Sequence, residues 1–391
     1  MPGFAEAMSR LGTETAFEVL ARAKQLEAAG RDVIHLEIGE PDFDTPKNIV
    51  EAAKRALDEG YTHYGPSAGL PEFRALIAET VSRFRGVSYG PEHVVVTPGG
   101  KPILFYVMMA VLDPGDEALY PNPGFPIYES MIQYLGAKAV PLALRQENAF
   151  RLDLDEFRDK VGPKTRLVIL NSPQNPTGGI LPREDVRAIA GILREHPDVW
   201  VLSDEIYSRL VFEGEHASIA AEEGMRERTV ILDGFSKTYA MTGWRLGYGV
   251  MPVELAEWVA RIETNCNSCT ATFVQRAGME ALSGPQDAPG AFCEEFRERR
   301  DVIVEGLNAL EGIDCLLPPG AFYVFPDVRG LGRPTREIAR MLLEEHGVAA
   351  LSGTAFGVLG DGHLRFSCAN SVANIDRALG RIRDLVQRLR G

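Results

Sequence analysis

The chain has 391 residues, of which 45% are hydrophobic and 25% charged, so it can bury a substantial core without disulfides or structural metals. Its formal net charge of −14 argues against non-specific binding to nucleic acid or to an anionic membrane surface. The five cysteines show no disulfide spacing, which indicates reduced thiols. The first residues, MPGFAEAMSR, contain no basic segment leading into an apolar core, and we expect a cytoplasmic protein.

Short β-branched segments alternate with longer helical patterns between residues 90 and 250. Several of these segments are almost continuous apolar runs, which are typical of strands covered on both faces of a parallel sheet. The alternation therefore predicts a mainly parallel sheet with helices between its strands. The strand candidates are 93–99, 117–121, 137–144, 166–173, 200–204, 229–235 and 245–251, and the helix candidates include 103–112 and 183–196.

The pattern changes after residue 285, where a charged amphipathic helix precedes shorter strand candidates, which predicts a smaller α+β part. The helix is expected at 291–310 and the strands at 322–328, 348–353 and 363–368. The arginine-rich carboxyl terminus could be a basic arm, but helical spacing of its apolar residues favours an amphipathic helix, these residues being Ile382, Leu385, Val386 and Leu389. We expect two closely joined domains, a large one at 45–284 and a small one formed by 1–44 and 285–391.

Cys266 and Cys269 form an isolated Cys-x-x-Cys pair in the segment TNCNSCTATF. A zinc site would need a second pair or histidines at ligand spacing, and a redox motif should begin a helix after a strand. Neither companion is evident, so we expect two small buried residues and no metal site.

Unusual residues follow five of the strand candidates, and ligands of parallel α/β sheets bind at the carboxyl ends of the strands. Each group alone has an ordinary explanation, such as a glycine turn, an Asx turn or a helix cap. Lys237 is harder to explain, because lysine is rarely buried, so either it reaches the surface or its amine is reactive. We predict one pocket at the five strand ends, which are Gly99 to Lys101, Asn122 to Phe125, Asn171 to Gly178, Asp204 with Tyr207, and Gly234 to Lys237.

Taken together and in this order, the motifs NPTG at 175–178, SDEIY at 203–207 and SKTYAMTGWRLGY at 236–248 resemble the class I, aspartate-aminotransferase-like group of pyridoxal-phosphate (PLP) aminotransferases. The resemblance covers nearly the whole chain, from EIGEPDFDTP at 37–46 to HLRFSCANS at 363–371. It implies the PLP-dependent transferase fold, fold type I, with a large domain around a mainly parallel sheet and a smaller α+β domain.

The resemblance also implies roles for the residues that act on the cofactor ring. Lys237 would form the internal Schiff base and then carry a proton between the substrate α-carbon and the cofactor, as a lysine of lowered pKa can. Asp204 would keep the pyridine nitrogen protonated. Tyr207 and Asn175 resemble the donors to the phenolic oxygen, and Phe125 the ring that stacks on the cofactor.

For the cofactor phosphate, the resemblance implies the backbone N–H groups of Gly100 and Lys101 at a helix start, and a bidentate contact from Arg245. One departure concerns Gly234, where relatives often carry a hydroxyl residue, and whether Ser236 compensates stays open. Tyr64 matches a tyrosine that reaches the phosphate of the neighbouring subunit, which implies a homodimer with shared active sites and with the loop 264–270 beside the partner's site.

For the substrate, the resemblance implies that Arg365 grips the α-carboxylate, with Asn175 beside it and a backbone contact from Gly39. It implies amino transfer from an L-amino acid to a 2-oxo acid, for which we expect 2-oxoglutarate. Lys101 pointing at a distal carboxylate would favour aspartate or another dicarboxylic donor. An aromatic donor near Phe125, Tyr64 and Phe17 is the next choice.

Two alternatives share parts of this interpretation. A β-lyase, a decarboxylase or an aminocyclopropane-carboxylate-synthase-like enzyme would use the same lysine, aspartate and arginine, because the cofactor performs the bond breaking. A non-catalytic PLP-binding sensor would have the same fold, since fold alone does not prove activity. Such sensors carry a DNA-binding module ahead of this fold, and because few residues precede EIGEP we expect no such module here.

Overall fold

The computed structural model describes residues 3–390. Its strands are β1 (Ile34–His35), β2 (Val94–Thr97), β3 (Glu117–Asn122), β4 (Lys138–Ala143), β5 (Thr165–Asn171), β6 (Trp200–Asp204), β7 (Thr229–Gly234), β8 (Gly247–Val250), β9 (Tyr323–Val324), β10 (Val348–Ala349), β11 (Leu351–Ser352) and β12 (Leu364–Ser367). Its α-helices are α1 (Thr15–Ala28), α2 (Lys47–Asp58), α3 (Pro71–Arg85), α4 (Lys101–Val111), α5 (Ile127–Tyr134), α6 (Leu154–Lys160), α7 (Arg183–Arg194), α8 (Val253–Cys266), α9 (Thr272–Ser283), α10 (Asp287–Asn308), α11 (Thr335–His346) and α12 (Val372–Arg390).

The central sheet contains all seven predicted strands, in the spatial order β2-β8-β7-β6-β5-β3-β4. The pairs β7–β6, β6–β5, β5–β3 and β3–β4 are parallel, whereas β8 runs antiparallel to both of its neighbours. Helices cover both faces, so every residue of β2 is buried. Within that strand Val95 packs with the helix α4, and Val94 and Val96 pack in the opposite core with α3, as the two-residue repeat of a strand requires.

The carboxyl-terminal part has a three-stranded antiparallel sheet in the order β11-β12-β9, and β1 pairs with β10 in parallel. Two predicted strands are shorter than expected. The candidate at 322–328 ends as β9 at Val324, because Pro326 lacks the N–H that would continue the ladder. The candidate at 348–353 is divided at Ala350, since β10 pairs with β1 whereas β11 pairs with β12.

Most of this part packs in one core, which also includes Tyr207 and Leu210, whereas Phe325, Leu351 and Phe356 pack in a core of the central sheet. The first of these cores contains residues of α10, α11 and α12, including the predicted amphipathic positions Ile382, Leu385 and Val386. The division into a large domain at 45–284 and a small domain at 1–44 and 285–391 stays a proposal, and residues 1, 2 and 391 lie outside the described residues. Residues 6–12 lie against α5, where Gly12 N–H donates to Ser130 Oγ at 2.9 Å.

The cysteines of residues 3–390 are all free thiols. The expectation that Cys266 is buried was wrong, because it is the last residue of α8 and lies beyond Glu263, the last buried position of that helix. Cys269 is partly buried. Within the described part of the chain, no cluster of His, Cys, Asp or Glu side chains could hold a metal ion. None of the helices described is long and apolar enough to span a bilayer.

Candidate active site

A cavity of about 520 Å³ lies over the carboxyl ends of the parallel strands. Segments that follow β2, β3, β5, β6 and β7 all contribute to it, so the structure brings the five predicted strand ends together. The small-domain side contributes Gly39 and Arg365. Eleven of the twelve predicted site residues line the cavity, and the exception is Tyr64.

Lys237 follows β7 and points its amine into this cavity. Its Nζ donates a hydrogen bond of 2.5 Å to the carbonyl oxygen of Gly39. Burial lowers the pKa of Lys237 to about 8, and the positive charges of Arg365 and Lys101 act in the same direction. The side chain is therefore not a lysine that reaches the surface, and its amine is poised to lose a proton near neutral pH.

Asp204 is the last residue of β6 and is 6% exposed. Tyr128 donates its hydroxyl hydrogen to Asp204 Oδ2 at 2.6 Å, and the Ile206 N–H donates to Oδ1 at 3.3 Å. Burial raises the pKa of Asp204 to about 6, with smaller contributions from the nearby carboxylates Asp233 and Glu205. Within residues 3–390 no basic side chain pairs with it, so a cation in the cavity would stabilise its charged form.

Arg365 is 4% exposed and lies at the opposite wall from the central sheet, in β12. Its Nη1 donates to Asn175 Oδ1 at 3.0 Å and its Nη2 to the carbonyl oxygen of Glu37. Its Nε is buried and has no hydrogen-bond partner among the described residues. Burial lowers its pKa. A buried guanidinium on a cavity wall is suited to an incoming carboxylate.

Two tyrosines join the Asp204 and Arg365 sides of the cavity. The hydroxyls of Tyr207 and Tyr323 share a hydrogen bond of 2.8 Å, and the guanidinium of Arg365 lies 4.5 Å from the centre of the Tyr323 ring. Burial raises the pKa of Tyr207 well above its ordinary value, so the hydroxyl keeps its proton and can donate it. The Tyr207 ring also lies 6.0 Å from Lys237 Nζ.

The start of α4 forms an anion-binding corner. Gly100 is its N-cap; Pro102 has no N–H and the Ile103 N–H donates to the Gly100 carbonyl oxygen at 3.1 Å, so the N–H groups left beside the cavity are those of Gly100 and Lys101. Gly99 has φ +89°, a backbone conformation that favours glycine. A Cβ atom at this position would also overlap the guanidinium of Arg245. Arg245 itself has φ +58° and donates to the Thr242 carbonyl oxygen at 2.7 Å.

The departure at Gly234 has a steric cause in this chain. A Cβ atom at Gly234 would lie 3.0 Å from the Gly247 Cα and 3.1 Å from the Leu246 carbonyl oxygen, so a side chain there is crowded. Gly234 does not line the cavity, whereas Ser236 does.

Tyr64 is 88% exposed and lies outside the cavity of its own chain. Its contact with the phosphate of a neighbouring subunit stays a prediction. The position of the loop 264–270 beside the partner's site likewise stays a prediction.

Sequence reasoning missed three residues that line or support the cavity. Tyr128 and Tyr323 hold Asp204 and Tyr207, and Glu14 forms an ion pair with Lys101. Tyr128 lies three residues after Phe125, a spacing that places two side chains on the same side of a helical turn, so this spacing could have indicated that Tyr128 also faces the cavity. Glu14 lies 87 residues from its partner, and nothing in its local sequence indicates the contact.

The chain is similar to known proteins over nearly its whole length. The family described as Aminotransferase class I and II matches residues 31–382. An aspartate/prephenate aminotransferase of Cereibacter sphaeroides is 40% identical over 384 residues, covering 95% of this chain and 96% of the relative. The aspartate aminotransferase of Pyrococcus horikoshii is 40% identical over 368 residues, covering 93% and 92%.

Solved structures are equally similar. The aspartate aminotransferase of Thermus thermophilus with maleate superposes with a TM-score of 0.94 at 39% identity, covering 98% of this chain and 100% of that one. An alanine aminotransferase of Pyrococcus furiosus superposes with a TM-score of 0.93 at 32% identity, covering 99% and 100%. The chain therefore belongs to the class I and II aminotransferases and is a PLP-dependent transaminase of fold type I.

Proposed function

We propose that the chain transfers the amino group of aspartate, or of another dicarboxylic amino acid, to 2-oxoglutarate. The observation that carries this proposal is one cavity that holds a lysine of lowered pKa, a buried carboxylate with no cationic partner among residues 3–390, and a buried arginine on its wall. These are Lys237, Asp204 and Arg365. They fit pyridoxal 5′-phosphate, because the donor set offers an amine for its aldehyde, a carboxylate for its ring nitrogen and an arginine for the substrate.

When bound, the cofactor supplies an aldehyde that captures the amino acid and a ring that delocalises the electrons left when the α-proton departs. Asp204 would hold the proton on the ring nitrogen, and Tyr207 and Asn175 would donate hydrogen bonds to the ring oxygen. The Lys237 amine would hold the cofactor through its aldehyde and, as a neutral amine, would serve as the base that moves the substrate α-proton.

The remaining predicted residues bind and orient. The N–H groups of Gly100 and Lys101, the Arg245 guanidinium and Ser236 hold the phosphate. Phe125 covers the ring. These contacts leave the small-domain side of the cavity for the substrate, where Arg365 and the Gly39 backbone hold the α-carboxylate.

The preference for a dicarboxylic substrate is supported by Lys101. Its ammonium lies 5.4 Å from the Phe125 ring centre and lines the same cavity as Arg365. Relatives of about 40% identity are named aspartate or aspartate/prephenate aminotransferases, whereas an alanine aminotransferase has the same fold. We further propose a homodimer, in which the exposed Tyr64 completes the neighbouring phosphate site.

The half-reaction tests the proposed function directly. Loaded enzyme is mixed with each L-amino acid, and the absorbance of the bound cofactor is followed together with the products. We expect the fastest conversion with aspartate and glutamate, with one 2-oxo acid formed per cofactor converted. Release of pyruvate and ammonia from a single substrate would instead identify a lyase, and no conversion with any amino acid would support the sensor alternative.

Replacing Arg365 by lysine is expected to raise KM for every amino acid by about 10–100-fold, because a charge-assisted hydrogen bond contributes roughly 1.5–3 kcal/mol. Steady-state kinetics with aspartate, alanine and phenylalanine measure this effect, and kcat should change less than KM. If KM rises for one side-chain class alone, the arginine does not bind the shared α-carboxylate.

The lowered pKa of Lys237 predicts how the cofactor-free enzyme captures PLP. The amine is protonated below its pKa and neutral above it, so the rate of covalent capture should rise with pH to a plateau with a midpoint near 8. An isolated lysine side chain, whose midpoint lies near 10.4, serves as the control. Stopped-flow absorbance measures the rate, and a rate that still rises steeply above pH 9.5 would contradict the lowered pKa.

A further inference from the structure

The cavity contains an ion pair whose carboxylate has no role in the proposed function. Lys101 Nζ lies 2.5 Å from Glu14 Oε2, and both residues line the cavity. The Glu14 side chain is 14% exposed and the Lys101 side chain 42% exposed, so the pair lies at the cavity mouth. The Lys101 ammonium also lies 5.8 Å from the ring of Phe17, on the first turn of α1.

The other charged side chains of the cavity each have a proposed role or a hydrogen-bond partner, and among the described residues Glu14 and Lys101 have only each other. Its lining carries seven charged side chains, Glu14, Glu40, Lys101, Asp204, Lys237, Arg245 and Arg365. Under the proposed function, the ring nitrogen, the phosphate, the aldehyde and the substrate α-carboxylate use four of them, and Glu40 accepts a hydrogen bond from Thr242. Lys101 is the remaining cation, and its ammonium is already bound to a carboxylate of its own chain.

The Glu14 side chain makes no hydrogen bond that caps its own helix. It is the N-cap residue of α1, the position whose side chain commonly accepts a hydrogen bond from a first-turn N–H group, but here it accepts none. The chain before it lies on α5 through Gly12, and α1 after it packs on the small-domain side, where Ala23 and Leu26 contact Ala349. Glu14 therefore spans the two sides of the cavity, and its contact across the mouth is to Lys101.

We propose that Glu14 is a specificity residue that occupies the position of the substrate's distal carboxylate, so that a dicarboxylic substrate must displace it from Lys101. This inference rests on the proposed function. Two carboxylates cannot both take the close position on one ammonium without repulsion, so the displacement weakens binding of dicarboxylates. An amino acid with an apolar side chain leaves the pair intact and is not affected.

Replacing Glu14 by glutamine tests the proposal, because it keeps the size of the side chain and removes its charge. We expect kcat/KM for aspartate and glutamate to rise about fivefold, the upper range for a partly exposed ion pair, and kcat/KM for alanine to stay within about twofold. Glu18→Gln is the matched control, since it removes an exposed charge from the same helix outside the cavity. This control should leave kcat/KM unchanged for aspartate, for glutamate and for alanine.

A binding measurement separates recognition from chemistry. Calorimetric titration of the loaded enzyme with succinate and with butyrate compares a dicarboxylate and a monocarboxylate of equal length. Glu14→Gln should tighten succinate binding about fivefold and leave butyrate binding unchanged. Equal changes for both acids, or no change for succinate, would overturn the proposal. If the wild-type enzyme does not use aspartate but succinate binding still responds, the proposed function fails while this inference stands.

Discussion

Replacing Lys237 by alanine is expected to lower the rate of amino transfer by about 10⁴-fold or more, because one side chain supplies both the attachment of the cofactor and the proton transfer. The structure supports both tasks, since the amine lies in the cavity with a pKa near 8 and lies 2.5 Å from the Gly39 carbonyl oxygen. Single-turnover kinetics with aspartate measure the loss. The absorbance of the covalently bound cofactor should disappear with it.

Lys101→Ala is the control for this substitution, because Lys101 is the other lysine of the cavity. It keeps the backbone N–H at the start of α4, so the variant should still bind the cofactor covalently. If Lys237→Ala retains both turnover and the covalent absorbance, the amine that attaches the cofactor belongs to another residue.

Replacing Asp204 by asparagine is expected to keep cofactor binding but to lower turnover by about 10²–10³-fold, the range measured when one electrostatic group that stabilises a transition state is removed. Asparagine is close to aspartate in size, and its one oxygen can still accept from Tyr128. The amide nitrogen then replaces Oδ1, which accepts the Ile206 N–H only at the long distance of 3.3 Å, so the packing around β6 should be kept. What it loses is the negative charge that holds the proton on the ring nitrogen. Near-normal turnover would contradict this role.

The same substitution should stabilise the cofactor-free protein. The folded-state pKa of Asp204 is raised to about 6, above its unfolded value, so the buried charge is destabilising above pH 6 and this penalty disappears as the pH falls toward 4. The shift corresponds to about 3 kcal/mol at most. Thermal unfolding should therefore give Asp204→Asn a higher Tm than the wild type at pH 8, with a smaller difference at pH 5. Equal differences at both pH values would contradict the raised pKa.

The opposite effects on turnover and stability have one physical source. A carboxylate buried without a cation is unfavourable until the cofactor's ring nitrogen arrives. Active sites commonly retain groups that destabilise the empty protein in this way.

The central sheet was predictable because strands covered on both faces require continuous apolar residues, which stand out in the sequence. The strand ends were predictable because each apolar run stops where polar residues begin. The structure brings Lys237, Asp204 and Arg365 to one cavity. The short strands of the small domain were less predictable. The end of β9 depends on one proline, and the division at Ala350 depends on which neighbour each half pairs with.

Contacts between distant residues were not predictable from local patterns. The Glu14–Lys101 pair forms only because α1 and α4 meet at the cavity mouth. The Tyr207–Tyr323 hydrogen bond likewise joins residues that are 116 positions apart. Such contacts depend on the packing of whole elements, which spacing along the chain does not record.

Borohydride reduction of the loaded enzyme, followed by peptide mass mapping, measures the central claim most directly. Reduction makes the link between amine and cofactor permanent, so the modified lysine can be identified. We predict one reduced pyridoxyl group per chain, carried by the peptide that contains Lys237. Modification of Lys101 or another lysine in its place, or no modification of any lysine, would contradict the account.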